Sequence, residues 1–584
     1  MMKFLLVAVN AKYIHSNPGI YSLKAYAERK RGDLFSEGAG LPSVCVEIGE
    51  YTINNQMEQI LEDIYRRKPD VIGFSCYIWN IVSCLELVRD IHKVLPDTDI
   101  WMGGPEVSFD APLLMKKESE IFGVMKGEGE ETFSGLLDCY ESLGTSVRKS
   151  KDSEKEDFWN KLSQLSGVTY RDRNGEIQDH PVRPVMDMSR IPFLYSDLEG
   201  FENRIIYYES SRGCPFSCSY CLSSVDKSVR FRDLELVKKE LQYFIDHQVP
   251  QVKFVDRTFN CKKSHALEIW KYIKEHDNGV TNFHFEIAAD LLDEEQLDLI
   301  GTMRPGLIQL EIGVQSTNSD TIREIHRSMN LERLKKIVAR INQGNNVHQH
   351  LDLIAGLPYE NYDSFHHSFN DVYAMEPEQL QLGFLKVLKG SFMYENAEKY
   401  ELVYREKPPY EVLSTKWLPY DHVLKLKGIE DMVEVYYNSR QFTYTLRLLE
   451  HRMGDAFVLY EKLAQYYEKK ELTGLNHSRL SRFEILHDFI TSEVDSKSLG
   501  MYEDALMCDL YLRENAKSRP SFALDQSPYK NTIKSLVPEL RSLGIRIHVE
   551  VLRCGAVLLF DYRKRDPLTH NGELVLLGQE EMVW

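Results

Sequence analysis

Residues 208–224 read YESSRGCPFSCSYCLSS, and the three cysteines within them decide how the rest of the chain is read. Cys214, Cys218 and Cys221 stand in a CxxxCxxC array with an aromatic, Tyr220, just ahead of the last. That spacing suits a site-open iron-sulfur cluster. Ordinary clusters take four cysteine ligands, so three thiolates on a 4Fe-4S cube leave one iron for a small molecule. A structural zinc site would want a fourth Cys or His at close range, and the next cysteine is the distant Cys261. Chance clustering of buried cysteines is the bland alternative. Gly213, Pro215 and the interspersed serines describe an exposed loop rather than a core run.

With those residues in view, the chain resembles the radical S-adenosylmethionine (SAM) enzymes, whose signature is this triad with an aromatic before the third cysteine. The resemblance implies that Cys214, Cys218 and Cys221 ligate a 4Fe-4S cluster. It further implies that the reduced cluster donates an electron into SAM bound through its amine and carboxylate at the free iron. The products would be methionine and a 5′-deoxyadenosyl radical that abstracts hydrogen from substrate.

The whole chain sets bounds on this reading. Its 584 residues are too many for one core and imply about three or four domains. A net charge of -18 and a pI near 5.6 argue against a surface built to grip nucleic acid, which relies on clustered Lys and Arg. No apolar stretch approaches the ~20 residues of a membrane span, and MMKFLLVAVNAKY lacks the apolar length and small-residue cleavage site of a secretion signal. A cytoplasmic protein is expected. The remaining cysteines are scattered without paired spacings, as befits a reducing compartment.

Outward from the cysteine loop, residues 1–145 alternate apolar strand-like runs (5–9, 44–48, 71–77, 99–104, 121–127) with helical patterns (20–30, 56–67, 81–94, 130–142). This predicts a doubly wound α/β unit, which binds ligands at the carboxyl ends of its strands. Glycine turns lie there, Gly103-Gly104-Pro105-Glu106 and Gly127-Glu128-Gly129-Glu130. On its own, such a turn equally serves a tight strand-to-helix connection. Ahead of a radical SAM region, the unit resembles the cobalamin-binding module of the cobalamin-dependent branch, and the resemblance puts Ser75, Gly103 and Gly104 along the nucleotide tail. The loop NAKYIHSNPG departs from the DxHxxG motif that supplies a histidine to cobalt. His15 therefore reads as a polar-loop residue near the corrin in preference to a cobalt ligand.

Residues 146–200 read as a linker with a small hairpin at Asn174-Gly175, and 201–395 as a partial (β/α) barrel with its site at the strand carboxyl ends. On the resemblance, Asp256 sits where the family's SAM-amine motif usually has Gly-Gly-Glu, with Arg257 and Asn260 as alternatives. Glu311 would meet the SAM ribose, Gln315 and Ser316 follow in the same GVQS segment, and Arg327 would pair with the SAM carboxylate. The plainer readings are a Glu311 satisfied by a neighbour and a solvated Arg327. Glu286, Asp290 and Asp352 are read as near the site only. His348, His350, His366 and His367 read as loop and helix residues before a metal cluster. Residues 396–584 read as a mainly helical accessory domain with a small sheet, whose aromatic stripes belong to its core.

The expectation is a cobalamin-dependent radical SAM enzyme using a 4Fe-4S cluster, SAM and cobalamin. It would methylate an unactivated centre of a small molecule with electrons from a donor such as flavodoxin or ferredoxin. The alternatives are a tetrapyrrole-cyclase-like oxidative cyclase or rearrangement enzyme and a non-catalytic cofactor-binding sensor. A methylthio-transferring enzyme is a further one, but it would bring a second cysteine cluster and a β-barrel tail.

Overall fold

The strand β1 (Met2–Asn10), MKFLLVAVN, is apolar on both faces, and the computed structural model, which describes residues 2–35, 44–536 and 546–577, shows why. Phe4, Leu6 and Ala8 enter one core, whereas Leu5, Val7 and Val9 enter another on the opposite face. A strand covered on both sides loses the hydrophobic-polar alternation of a half-exposed one. Around β1 the parallel strands β2 (Val44–Thr52), β3 (Val71–Ser75), β4 (Asp99–Gly103) and β5 (Gly123–Met125) are ordered β2-β1-β3-β4-β5. The helices α1 (Pro18–Phe35) and α6 (Glu130–Glu141) pack one face through Ile20, Ala27, Phe133 and Leu137. The other face is covered by α2 (Met57–Arg67), α3 (Ile81–Val94), α4 (Pro105–Ser108) and α5 (Ala111–Lys117), through Ile64, Leu87, Val107 and Met115. This is a doubly wound sheet.

Residues 146–200, expected as a linker, do more than connect. The hairpin strands β6 (Val168–Arg171) and β7 (Ile177–Asp179) extend the sheet antiparallel to β5. Phe158 and Leu162 of α7 (Glu156–Leu162) are buried in the same core as Phe4. Short-range pattern could not reveal this, because the pairing partner of β6 lies far back in the chain.

The chain divides into two compact units, Met1–Ile287 with Lys386–Val412, and Ala288–Leu385 with Leu413–Trp584. The first unit also holds β8 (Ile206–Tyr208), the short antiparallel pair β9 (Ser211–Arg212) and β10 (Arg230–Phe231), β11 (Gln251–Phe254) and β12 (Asn282–Ile287), with β8, β11 and β12 parallel. Its helices there are α8 (Leu234–Asp246) and α9 (Lys263–Glu275). In the second unit β13 (Ile308–Gln315), β14 (His348–Ala355) and β15 (Gln379–Phe384) are parallel. They alternate with α10 (Glu294–Gly301), α11 (Ser319–Glu324), α12 (Leu331–Gly344) and α13 (Tyr362–Tyr373). Beyond residue 413 come long helices such as Ala456–Lys469, Arg479–Glu493 and Leu499–Arg513, then a three-stranded antiparallel sheet ending in Gly572–Leu577. No helix among the described residues is long and apolar enough to cross a membrane.

Candidate active site

The cysteine loop springs from a ladder two residues long, Arg212 opposite Arg230 and Ser211 opposite Phe231. The Cys214 N–H donates to the Asp226 carbonyl at 3.1 Å, and the Cys221 N–H to the Cys218 carbonyl at 3.1 Å. Gly213 has φ +92°, and a Cβ on it would lie 2.7 Å from the Ser228 carbonyl oxygen, so the entry turn requires glycine. Cys214 and Cys218 are buried and Cys221 half-buried. Burial pushes the Cys214 thiol up, with Cys221 and Cys218 close enough to add to the effect. A compact, shielded trio of thiols from one loop fits a cluster with three protein ligands.

Asp256, just beyond β11, is fully buried and accepts from the Ser210 N–H at 2.9 Å, the Ser210 hydroxyl at 2.7 Å and the Ser211 hydroxyl at 2.5 Å. Burial raises its pKa to about 7, against these donors. Both carboxylate oxygens are thus engaged with the residues that lead into the cysteine loop. Arg257 instead borders a cavity and Asn260 is buried. Tyr220 is half-buried in the loop.

Arginines flank the loop on both sides. Arg212 pairs with Glu209 at 2.8 Å, Glu130 at 3.0 Å and Glu128 at 3.2 Å. Arg230 pairs with Glu128 at 2.5 Å and Asp226 at 2.6 Å. Glu128 also accepts from the Met186 N–H at 2.8 Å. The Gly127-Glu128-Gly129-Glu130 turn of the doubly wound sheet therefore acts through its carboxylates, which the sequence reading passed over in favour of the glycines. Two acids in so short a turn at a strand end were the available signal.

A cavity of about 650 Å³ opens between these parts of the first unit, within the usual range for ligand sites. One wall comes from the carboxyl ends of β1 and β3, with Asn10, His15, Tyr77 and Trp79, and the other from Tyr207, Arg212, Gly213 and Asp226 beside the cysteines. Tyr77 and Trp79 stack at 4.4 Å with 7° between their planes. A flat aromatic pair in a roomy cleft suits a planar macrocycle such as a corrin. His15 Nδ1 and the Tyr207 hydroxyl share a hydrogen bond of 2.5 Å. Burial lowers the His15 pKa, helped by Lys12 and Lys253. Ser75 accepts from Asn17 Nδ2 at 3.0 Å. Gly104 has φ +109°, and a Cβ there would fall 2.4 Å from the Cys76 carbonyl oxygen, whereas one on Gly103 meets nothing nearer than 3.6 Å.

In the second unit Glu311 and His350 are opposite one another in the β13–β14 pairing, and ligand atoms of Glu311, His350 and Asp352 lie within 4.8 Å of one another. His350 Nε2 is 3.1 Å from Asp352 Oδ1. His366 instead pairs with Asp455 at 2.7 Å and stacks on Phe457. The Ser316 hydroxyl donates to buried Glu360 at 2.7 Å, and the Arg327 guanidinium donates to the Gly313 carbonyl. Asp290 accepts from the Asn330 N–H at 2.9 Å. Glu286 lies on β12, in the first unit.

This cysteine loop beside a doubly wound sheet defines a radical SAM enzyme with an N-terminal cobalamin-binding domain. Residues 208–372 match the Radical SAM superfamily, residues 5–137 the B12 binding domain, and residues 398–550 a family described as a protein of unknown function, DUF4080. Cobalamin and SAM are the cofactors for which the first two of these families are named. Among similar proteins, the cobalamin-dependent radical SAM methyltransferase TokK of Streptomyces tokunonensis is 24% identical over 499 residues, spanning 79% of this chain and 68% of that one. The 2-(S-pantetheinyl)-carbapenam-3-carboxylate methyltransferase of Streptantibioticus cattleyicolor is 24% identical over 468 residues, spanning 72% and 65%. The chain thus spans about two thirds of the length of these relatives. The solved structure of the cobalamin-dependent SAM radical enzyme OxsB superposes with a TM-score of 0.59 at 15% identity, covering 87% of this chain and 80% of that one. The radical SAM methyltransferase TsrM of Kitasatospora setae gives 0.53 at 17% identity, covering 68% and 78%.

Proposed function

We propose that the protein is a cobalamin-dependent radical SAM methyltransferase that methylates an unactivated centre of a small molecule. The observation that carries this reading is a cavity bounded by the strand ends of the cobalamin-binding sheet on one side and the residues flanking the cysteines on the other. When bound, the reduced cluster would supply the electron that splits one SAM into methionine and a 5′-deoxyadenosyl radical, and cobalamin would supply the methyl group, renewed from a second SAM that leaves as S-adenosylhomocysteine. The chain's own residues position and shield. Cys214, Cys218 and Cys221 hold the cluster, and Asp256 fixes their strand through Ser210 and Ser211. Tyr220, Glu311, Ser316 and Arg327 serve the SAM side, Ser316 through the anchoring of its segment to Glu360. Ser75, Gly103 and Gly104 serve the cobalamin tail, where Gly104 lets two backbone segments meet. Positioning and exclusion of water are the main demands that such chemistry makes on a protein.

The reading includes a flavodoxin- or ferredoxin-type electron donor, a small-molecule substrate and a cytoplasmic setting. Its test is anaerobic reconstitution with cluster and cobalamin, then mass spectrometry after adding SAM and dithionite. 5′-Deoxyadenosine together with S-adenosylhomocysteine is the expected result. Deoxyadenosine alone would move the assignment to cyclisation or rearrangement, and neither product would move it to a sensor. In Cys218→Ala, cluster absorbance and deoxyadenosine should vanish together; undiminished SAM cleavage would overturn the ligand set.

A further inference from the structure

Ser219 lies between Cys218 and Tyr220, and its side chain is held in an unusual way for a loop serine. The residue is 1% exposed, and its Oγ has no hydrogen-bond partner among the described residues. Burying a hydroxyl without a partner is unfavourable, and native proteins rarely leave one so. The neighbouring serines show how such groups are normally met here. Ser210 and Ser211 donate to Asp256 at 2.7 and 2.5 Å, and Ser224 donates to the Cys221 carbonyl at 2.6 Å. The Ser219 peptide is also fixed from outside the loop. Its carbonyl accepts the Met393 N–H at 3.0 Å, and the Cys218–Cys221 turn closes around it. Ser219 therefore sits in the turn between two of the three cysteines, with no acceptor for its hydroxyl among the described residues.

Sulfur is the acceptor that the loop acquires when it carries its cluster. Hydrogen bonds to the sulfurs of an iron-sulfur centre are among the levers that set its reduction potential. They stabilise the reduced cluster more than the oxidised one, because reduction adds negative charge that a donor dipole favours. From this placement we infer that Ser219 is a tuning residue, donating its hydroxyl to a sulfur of the cluster held by Cys214, Cys218 and Cys221 and raising the cluster's reduction potential. The group it acts on is the cluster, not SAM or substrate. Thr258 stands by Cys214 at 3.7 Å, but its hydroxyl already donates to the Arg257 carbonyl at 2.8 Å, which leaves Ser219 as the uncommitted donor of the pair.

The inference rests on the ligand assignment proposed above, and one experiment separates the two. The full chain, reconstituted anaerobically, is titrated with dithionite against redox mediators and followed by electron paramagnetic resonance, alongside iron and sulfide analysis. Ser219→Ala is expected to keep the iron and sulfide content of the unaltered protein and to shift the midpoint to more negative potential. Ser219→Thr, which restores a hydroxyl, is expected to bring it back. A full cluster with an unchanged midpoint in Ser219→Ala overturns the inference. So does loss of the cluster from Ser219→Ala, because the hydroxyl would then be serving the loop's fold rather than its potential. Absence of a 4Fe-4S signal from the unaltered protein would overturn the ligand assignment itself.

Discussion

A single Cβ decides the turn after β4. Gly104 follows β4, where the chain must turn with φ +109° against the backbone of Cys76. The N–H of Cys76 reaches the Gly103 carbonyl at 2.7 Å, so the two strand ends are locked together and cannot separate to admit a methyl group. Gly104→Ala therefore combines a left-handed backbone cost of about 1–3 kcal/mol with a backbone clash. Its neighbour is the built-in control, because a Cβ on Gly103 finds ordinary contact distances. Thermal melting and cobalamin titration should show Gly104→Ala destabilised and weakened in binding, with Gly103→Ala close to the unaltered protein. Equal behaviour of the two variants would remove the close approach as the reason for glycine. The pair GG was visible in the sequence as a candidate ligand turn. Which of the two glycines is indispensable was not, because that depends on Cys76, which follows another strand, β3.

Among elements, the end of β13 is tied to α13 by one carboxyl group. Glu360 accepts from Ser316 at 2.7 Å and from Ser368 at 2.8 Å, and burial raises its pKa from 4.5 to about 7. An acid that holds its proton more tightly when folded contributes stability that is fully present below the unfolded pKa and is lost as pH rises through the folded one. Glu360 should thus make the protein less stable as pH rises from about 4.5 to about 7, by at most roughly 3.5 kcal/mol at about 1.4 kcal/mol per pKa unit. Denaturant midpoints across that window should fall more steeply for the unaltered chain than for Glu360→Gln, and parallel slopes would discard the carboxyl as the cause. Elements of this kind were largely legible in advance. The 3.6-residue pattern placed α3 at residues 81–94, as observed, and doubly buried runs marked β1 and β3. The cross-element ties were not legible. Neither Ser316 with Glu360 nor Asp256 with Ser210 leaves a periodic trace, since each joins residues more than forty positions apart.

At the scale of the molecule, the sequence reads as a string of domains that change character near residues 145, 200 and 395, and the first unit crosses every one of those limits. Segment 386–412 shows how. Met393 donates to the Ser219 carbonyl in the cysteine loop, while Tyr410 donates to Glu106 and Lys389 pairs with Asp110 at 3.0 Å on the cobalamin-binding sheet. Further ties run from that sheet to the region after residue 200. The Ile205 N–H meets the Ile14 carbonyl at 2.9 Å, Arg204 pairs with Glu50, and Arg212 and Arg230 pair with Glu128 and Glu130. A chain beginning near residue 200, which an independent-domain picture expects to lose cobalamin and keep iron, would strip Arg204 of Glu50 and Arg212 and Arg230 of Glu128 and Glu130, leaving Arg212 only Glu209 and Arg230 only Asp226. Several ties would be severed at once beside the cysteines, and the flank of the loop that they cover would be opened to water. The truncated protein should therefore lose iron together with cobalamin after anaerobic reconstitution. If it instead holds a full complement of iron with a normal cluster spectrum, the carboxylates of the glycine turn are dispensable to the loop, and the two cofactor regions are separable after all.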